Sequence, residues 1–402
     1  MTYPLTDLKV LDLSRVLAGP VCTQLLADLG ADVVKVERPG GGDDTRQWGP
    51  PFVSHGGPSG YFISCNRGKR SLALDLAHPA GRAVLDDLIR AADVLVENFL
   101  PDSLEHLGLQ PERLRRLNAK LVICSISGYG RTGPLATVPG YDLMMQASAG
   151  IMSITGEASG APMKVGVAIT DVITGLYSAA SVLAGLYAVG KGRDGPHFDL
   201  ALADCTLASL VNVAQGALLT GERPRRWGNA HPQIVPYEAF ATADGHLVLA
   251  IGADRQWRRF CRAIERDDLA QDTRFTTNPA RVENREDLIP VLQKILATRT
   301  TGAWQALLTA AEVPHSPVSA LDEVLASPQV AARQMVLETG DAQGRSYRLL
   351  GSAAHWRDEP PRRAVAAPNL GQHSAEVLQE WLGYPAEHIE QLRSAGAIEA
   401  AP

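Results

Sequence analysis

The chain has five cysteines, Cys22, Cys65, Cys124, Cys205 and Cys261, and no two of them form a C-x-x-C pair. An odd, scattered set supplies neither a disulfide framework nor the spacing of a zinc site, so no metal is expected. A reducing, cytoplasmic setting fits. Excess positive charge is missing too: the formal net charge is −6, which argues against nucleic acid or an anionic membrane as the main partner. The opening residues Met1-Thr-Tyr-Pro-Leu-Thr-Asp7 lack the basic-then-apolar pattern of a signal peptide. P-loop, H-E-x-x-H, G-x-S-x-G and EF-hand patterns do not occur. One uncharged run, Val172–Gly190, reaches the ~20 residues of a membrane span. It carries Thr, Ser, Tyr and Gly, and no comparable second run accompanies it. A buried core helix is the expectation, and no membrane.

What is present is ordinary globular composition, 45% apolar and 20% charged over 402 residues, long enough for two domains or one elaborated one. Leu8–Leu13 reads as a buried strand. Pro20 suits a helix first turn, Val21–Leu29 is helical and ends at Gly30, and Asp32–Glu37 is the next strand. The rhythm continues with extended Tyr61–Ser64 and Ser71–Leu76, a helix at Pro79–Ala91, strands at Asp93–Asn98 and Leu121–Ser127, and a short helix at Pro111–Leu117. Such alternation predicts a Rossmann-like, doubly wound α/β fold whose ligands lie beyond the strand carboxyl ends. Arg38 and Asn98 are candidates on that position alone. His197–Ala201 reads as a strand, Asp204 as the cap of a second uncharged helix through Leu219, and Gly221–Pro232 as a charged connector to a smaller α/β domain.

Asp171 is the only charge between Lys164 and Lys191. At the start of the long helix it reads as an N-cap, with Thr170 as the alternative. It also reads as a reactive carboxylate, kept ionised by the helix terminus. Gly128-Tyr-Gly130-Arg-Thr-Gly133 matches G-x-G-x-x-G, but Pro134 and Pro139 prevent a helix from opening there, so it reads as a glycine-rich turn rather than a dinucleotide site. The basic turn Arg67–Arg70, with Arg38, is either a solvated surface or an anion site. Asp142 is a helix cap or a site carboxylate, and His231 an ordinary loop residue or a site residue.

Several segments together resemble the family III CoA-transferases: Leu8 to Pro20, Leu29 to Gly40, Cys65 to Ser71, Asp93 to Phe99, Gly140-Tyr-Asp142 and the Asp171 segment. They run in order at the family's spacing from about Leu8 to Leu382. The resemblance implies an interlocked homodimer with a large CoA-binding domain built from residues 1–220 and 329–402, and a small domain at 221–328. It implies that Asp171 is the nucleophile, that Arg38 holds the nucleotide end of CoA, that Leu74 and Asp75 lie near the adenine, and that Asn98 lies near the phosphate or pantetheine portion. His106 stands where some members carry Arg. No tightly bound cofactor is implied; coenzyme A is a substrate, and the partners are an acyl-CoA and a small carboxylic acid.

On this resemblance Asp171 forms an acyl anhydride and then a CoA thioester, which is covalent catalysis without a metal. A racemase branch of the family places a His before the Asp of the Gly140-Tyr141-Asp142 segment. Here that position is Tyr141; a tyrosine, with an ordinary phenol pKa of ~10, is a poor acid–base partner at neutral pH, so transfer is expected over 2-methylacyl-CoA racemisation. A non-catalytic CoA-binding subunit is the third reading. Formyl-CoA:oxalate enzymes tend to carry Gln where Leu17 stands here. The run from Asn229 through His231 to Phe240 looks most like the branch acting on dicarboxylates such as glutarate, with succinyl-CoA as donor. Leu17, Tyr141, Asp142 and His231 are the candidate substrate-binding residues.

Overall fold

The computed structural model describes residues 3–53, 57–340, 344–356 and 365–399. Strand β1 (Lys9–Asp12) leads to α1 (Ala18–Asp28) and back to β2 (Asp32–Glu37). Gly30, at φ 110°, makes the turn between the last two, a left-handed conformation that glycine adopts without steric cost. The next element corrects the sequence reading. Tyr61–Ser64 is not extended but lies in α2 (Gly60–Asn66), whose N-cap Ser59 accepts a hydrogen bond from Phe62 N–H at 3.0 Å. Then follow β3 (Arg70–Leu74), α3 (Pro79–Ala91), β4 (Val94–Glu97), α4 (Pro101–Leu107), α5 (Pro111–Leu117) and β5 (Val122–Ser127). Proline in the first turn starts α3, α4 and α5 alike.

After α6 (Asp142–Ser148) and the single turn α7 (Ile151–Ile154) come α8 (Ile169–Gly190) and β6 (His197–Ala201). The expected single helix to Leu219 is two, α9 (Leu202–Ser209) and α10 (Val211–Thr220), meeting at 79°. Val211, at φ 32°, breaks the run. An antiparallel sheet of β7 (Tyr237–Ala241), β8 (His246–Ala250) and β9 (His315–Pro317) follows, then the hairpin β10 (Val336–Gly340) and β11 (Ser346–Leu350), and finally β12 (Ile398–Glu399).

The large sheet runs β12-β3-β2-β1-β4-β5-β6, parallel throughout except for β12. Strand order reverses at β1, so the crevice beyond the ends of β1 and β4 is where an open α/β sheet binds ligands. Alternation supplies a core on each face. Leu11, Val34, Leu72 and Leu95 face one way, with α3 and helix Ser374–Leu382; Val10, Val33, Val94 and Val122 face the other, with α1 and α8.

The chain divides into two compact units. One contains residues 1–151, 164–222 and 328–402, and the other residues 152–163 and 223–327. Segment 152–163, read from sequence as part of 1–220, groups with the second unit. There the Arg226 guanidinium donates to the carbonyls of Ser153, Glu157 and Gly160. The second unit is built on Phe240, Leu249, Trp257, Phe260 and Trp304.

Helix α8 is not the wholly buried helix expected. Only a stripe of small residues is covered, Thr170, Asp171, Thr174, Gly175, Ser178, Ala179, Val182 and Gly185, while Leu176, Tyr177 and Tyr187 are exposed. It is long and apolar enough to cross a membrane by length and composition. Gly175 sets its approach to α1: a Cβ there would stand 2.7 Å from the Ala18 carbonyl oxygen and 2.8 Å from Val21 Cγ1. Gly175→Ala should therefore destabilise the fold by ~1–3 kcal/mol through overpacking. Gly190→Ala, with open space at its Cβ, should be neutral or slightly stabilising. Thermal melts of the two variants check this; equal melting temperatures would refute it.

Candidate active site

The loop after β1 is fixed from below by buried charge. Lys35 Nζ donates to the Ser14 carbonyl at 2.8 Å and pairs with Asp43 at 2.9 Å; Lys69 Nζ pairs with Asp12 at 3.0 Å. All four side chains are fully buried. Burial alone would raise the Asp12 pKa, but Lys69, Lys35 and the hydroxyls of Ser14 and Thr23 bring it to about 2. Burial opposes the Lys35 ammonium, and the charges of Asp12, Asp43 and Glu37 outweigh it and hold the group protonated. At the end of β4, Asn98 grips the loop from the other side, accepting from Arg15 N–H at 2.9 Å and donating to Arg15 C=O at 2.8 Å.

Beside this loop lies a cavity of about 570 Å³. Arg38, Leu74, Asp75 and His106, which lie far apart in sequence, all line it, together with Arg15, Phe99, Asp102 and Ser103. Arg38 is 67% exposed along its side chain and pairs with Asp44 at 2.9 Å. His106 Nδ1 is hydrogen-bonded to the Asp102 carbonyl at 2.8 Å. Asn98 acts here through Arg15 and is not among the lining residues. Cations at the mouth and apolar side chains within suit an anionic, partly aromatic ligand.

Asp171 is the third residue of α8, not its cap. The N-cap is Ala168, with no side-chain cap. The orphan donor is satisfied from another helix: Asp142 Oδ1 accepts from Thr170 N–H at 2.9 Å and Thr170 Oγ at 2.6 Å, while Gln146 Nε2 donates to Asp142 Oδ2 at 2.7 Å. Asp142 thus occupies the position the sequence assigned to Asp171 or Thr170. Asp171 is left 8% exposed, its carboxylate with no hydrogen bond or ion pair among the described residues. The helix terminus, which the sequence reading expects to favour the ionised form, does not hold its pKa at the ordinary carboxylate value. Burial, and then the neighbouring Asp142 charge, raise its pKa from 3.8 to about 7.

Because Gly175 packs on Ala18 and Asp171 is one turn earlier on the same stripe, Asp171 faces the start of α1, where Leu17 is the N-cap. Tyr61, missed in the sequence, belongs here. Burial and the charges of Asp171, Cys65 and Asp142 push its phenol to about 12, and its ring meets Trp48 edge-on at 5.3 Å. Its position after Ser59, a helix cap, is the signal that would have placed it. Tyr141, 62% exposed, is the N-cap of α6. His231 lies in the second unit, where its Nδ1 accepts from Gln233 N–H at 3.0 Å and its ring rests on Tyr237 at 5.3 Å.

Two motifs resolve as internal structure. The basic turn is satisfied within the chain: Arg67 pairs with Asp28, Lys69 with Asp12, and Arg70 with Asp32, Glu376 and Glu380. The Gly128–Gly133 run is a turn in which Arg131 pairs with Glu97 at 2.5 Å. The five cysteines are all buried, and burial raises each thiol above its ordinary value.

A raised carboxyl pKa has a definite sign for stability. Between pH ~4 and ~7 the unfolded Asp171 is ionised while the folded one is protonated, so its contribution to stability falls as pH rises and levels off above ~7. A shift from 3.8 to about 7 corresponds to ~4 kcal/mol at most. Asp171→Asn should raise stability at pH 8 by ~1–4 kcal/mol and have little effect at pH 4. Denaturant titrations at the two pH values test this; a destabilised variant at pH 8 would count against it.

The family model for CoA-transferase family III matches residues 5–374. The chain is 45% identical to a succinate–glutarate CoA-transferase of Agrobacterium fabrum, covering 94% of this chain and 95% of that protein. It is 39% identical to the human succinyl-CoA:glutarate CoA-transferase, covering 98% and 90%. The crystal structure of a CaiB/BaiF family protein from Brucella suis superposes with a TM-score of 0.83 at 41% identity, covering 95% of this chain and 100% of that one. Agreement of this extent in both sequence and fold means that the chain belongs to CoA-transferase family III and is a transferase.

Proposed function

We propose that the protein moves CoA from succinyl-CoA to a short dicarboxylate such as glutarate, with Asp171 as the nucleophile. The observation that carries the mechanism is a carboxylate 8% exposed and without a hydrogen-bonding partner among the described residues. Substrates of this class are supported by the similarity to the glutarate CoA-transferases. Ionised Asp171 attacks the thioester carbonyl carbon. The C–S bond breaks, CoA leaves as the thiolate, and an aspartyl–succinyl anhydride remains. The thiolate attacks Cγ of Asp171, expelling succinate and leaving an aspartyl-CoA thioester. The acceptor carboxylate then attacks Cγ and releases the thiolate. That thiolate attacks the acceptor carbonyl of the new anhydride and restores the Asp171 carboxylate. Each step exchanges one activated acyl group for another, so no step is steeply uphill. An unsolvated carboxylate is a stronger nucleophile than a hydrated one, and exclusion of water protects the anhydride.

Arg38, Leu74, Asp75, His106 and, through Arg15, Asn98 hold the CoA nucleotide in this reading. Leu17, Tyr141 and Asp142 contact or orient the acids. A second copy of the chain, rather than a bilayer, covers the exposed apolar residues of α8 to α10. Support comes from Leu176, Tyr187, Leu207, Val211, Leu218 and Leu219, exposed together on the three helices, and from the family resemblance. The enzyme is assigned to the cytoplasm.

Incubation with succinyl-CoA and glutarate should give glutaryl-CoA by mass detection. Asp171→Asn should lower turnover by at least ~10³-fold; unchanged turnover in that variant would end the mechanism. The rate of Asp171 acylation should rise roughly tenfold per pH unit up to about 7 and then level off, following ionisation of the nucleophile. A flat profile from pH 5 to 8 would contradict it. Light scattering should give twice the monomer mass, and Leu218→Glu with Leu219→Glu should shift it toward the monomer; a wild-type monomer would refute the covering copy.

A further inference from the structure

The turn between β1 and α1 is held in a conformation its sequence does not favour. Val16 has φ 70°, a left-handed backbone that a β-branched residue adopts only under constraint. The backbone groups leading into it, from Ser14 to Val16, are fastened. Ser14 C=O accepts from Lys35 Nζ at 2.8 Å, and Arg15 N–H and C=O are both bound by Asn98. Val16 N–H donates to Asp43 Oδ2 at 3.2 Å, and Cys65 Sγ lies 3.6 Å from Val16 C=O. Ser14 also seats against Gly19, where a Cβ would stand 2.2 Å from Ser14 Oγ.

This turn joins the two halves of the candidate site. Arg15, Lys35 and Asp43 line the cavity, and two residues after Val16 comes Ala18, the first residue of α1, on which α8 packs through Gly175 one turn from Asp171. A fully buried Lys–Asp pair is weak evidence for stability, since apolar residues of equal volume often serve as well. Its geometry here instead specifies one backbone conformation.

We propose that Asp43, carried by Lys35, is a positioning residue for acyl transfer: it locks Val16 in the left-handed turn that sets the start of α1 against Asp171. It acts through the backbone and touches no reacting atom. This rests on the transferase reading above, with Asp171 as the acylated group.

The test uses full-length protein and follows Asp171 acylation in a single turnover by quenched intact mass, at saturating succinyl-CoA. Affinity for free CoA is measured by calorimetry, and the melting temperature is recorded for each variant. Asp43→Asn should slow acylation at least ~tenfold, as small misplacements of reacting groups do, with CoA affinity within about threefold. Adding Val16→Gly should restore most of the rate, because glycine takes φ > 0 without the clamp. Asn98→Ala, which leaves the buried pair intact but frees Arg15, should slow acylation at saturating succinyl-CoA whatever its effect on CoA affinity, and serves if Asp43→Asn does not fold. Folded Asp43→Asn acylating at the wild-type rate would overturn the proposal. So would a slow variant that regains thermal stability but no rate on adding Val16→Gly, and so would undiminished acylation in Asn98→Ala. Wild-type protein that binds CoA but never becomes acylated would remove the transferase mechanism itself, a result distinct from any of these.

Discussion

Two ammonium groups buried at the carboxyl end of the sheet organise this molecule. Lys35 and Lys69 enter the interior from β2 and the approach to β3, and each meets an aspartate within 3.0 Å. Desolvation makes either cation intolerable alone. Asp12, Asp43 and the Ser14 carbonyl must therefore stay where they are, and with them the loop they belong to. That loop forms one wall of the cavity and the entrance to α1. The sheet contributes strand order, but the charges decide where its first connection goes.

The second organising feature is a hydrogen bond made by a neighbour. Helix α8 needs an acceptor at its first turn, and Asp142 supplies it from α6. Had Asp171 capped its own helix, its oxygens would be committed to backbone N–H groups and its pKa lowered. Left uncapped, buried and beside another carboxylate, it has the poor solvation that destabilises a fold and suits a nucleophile.

Much of the frame was legible in the sequence because its signals are local. Pro20 and Gly30 bound α1, Pro79 starts α3, and the apolar runs of β1, β2, β4 and β5 are the mark of strands covered on both faces. Tyr61–Ser64 misled because a short apolar stretch has no period; its Ser59 cap was the deciding local feature. The pairing of β12 with β3, across more than 300 residues, has no local signature at all. At the site, Asp171 stood out as a lone charge, but Asp142 as its neighbour could not be read from spacing. The cations of the basic turn looked available because sequence gives charge without partners. Arg70, for instance, is taken by Glu376 and Glu380 from a distant helix.

The burial of all five cysteines bears on what such a protein can coexist with. A thioester is an acyl donor to any thiolate that can reach it, and exchange between thiols is driven by the ionised sulfur. Here each sulfur is enclosed and held as the neutral thiol by its surroundings. A transferase of this family thus presents none of its five thiols to activated acyl groups. It is protected from gradual self-acylation by the same dense packing that builds the sheet.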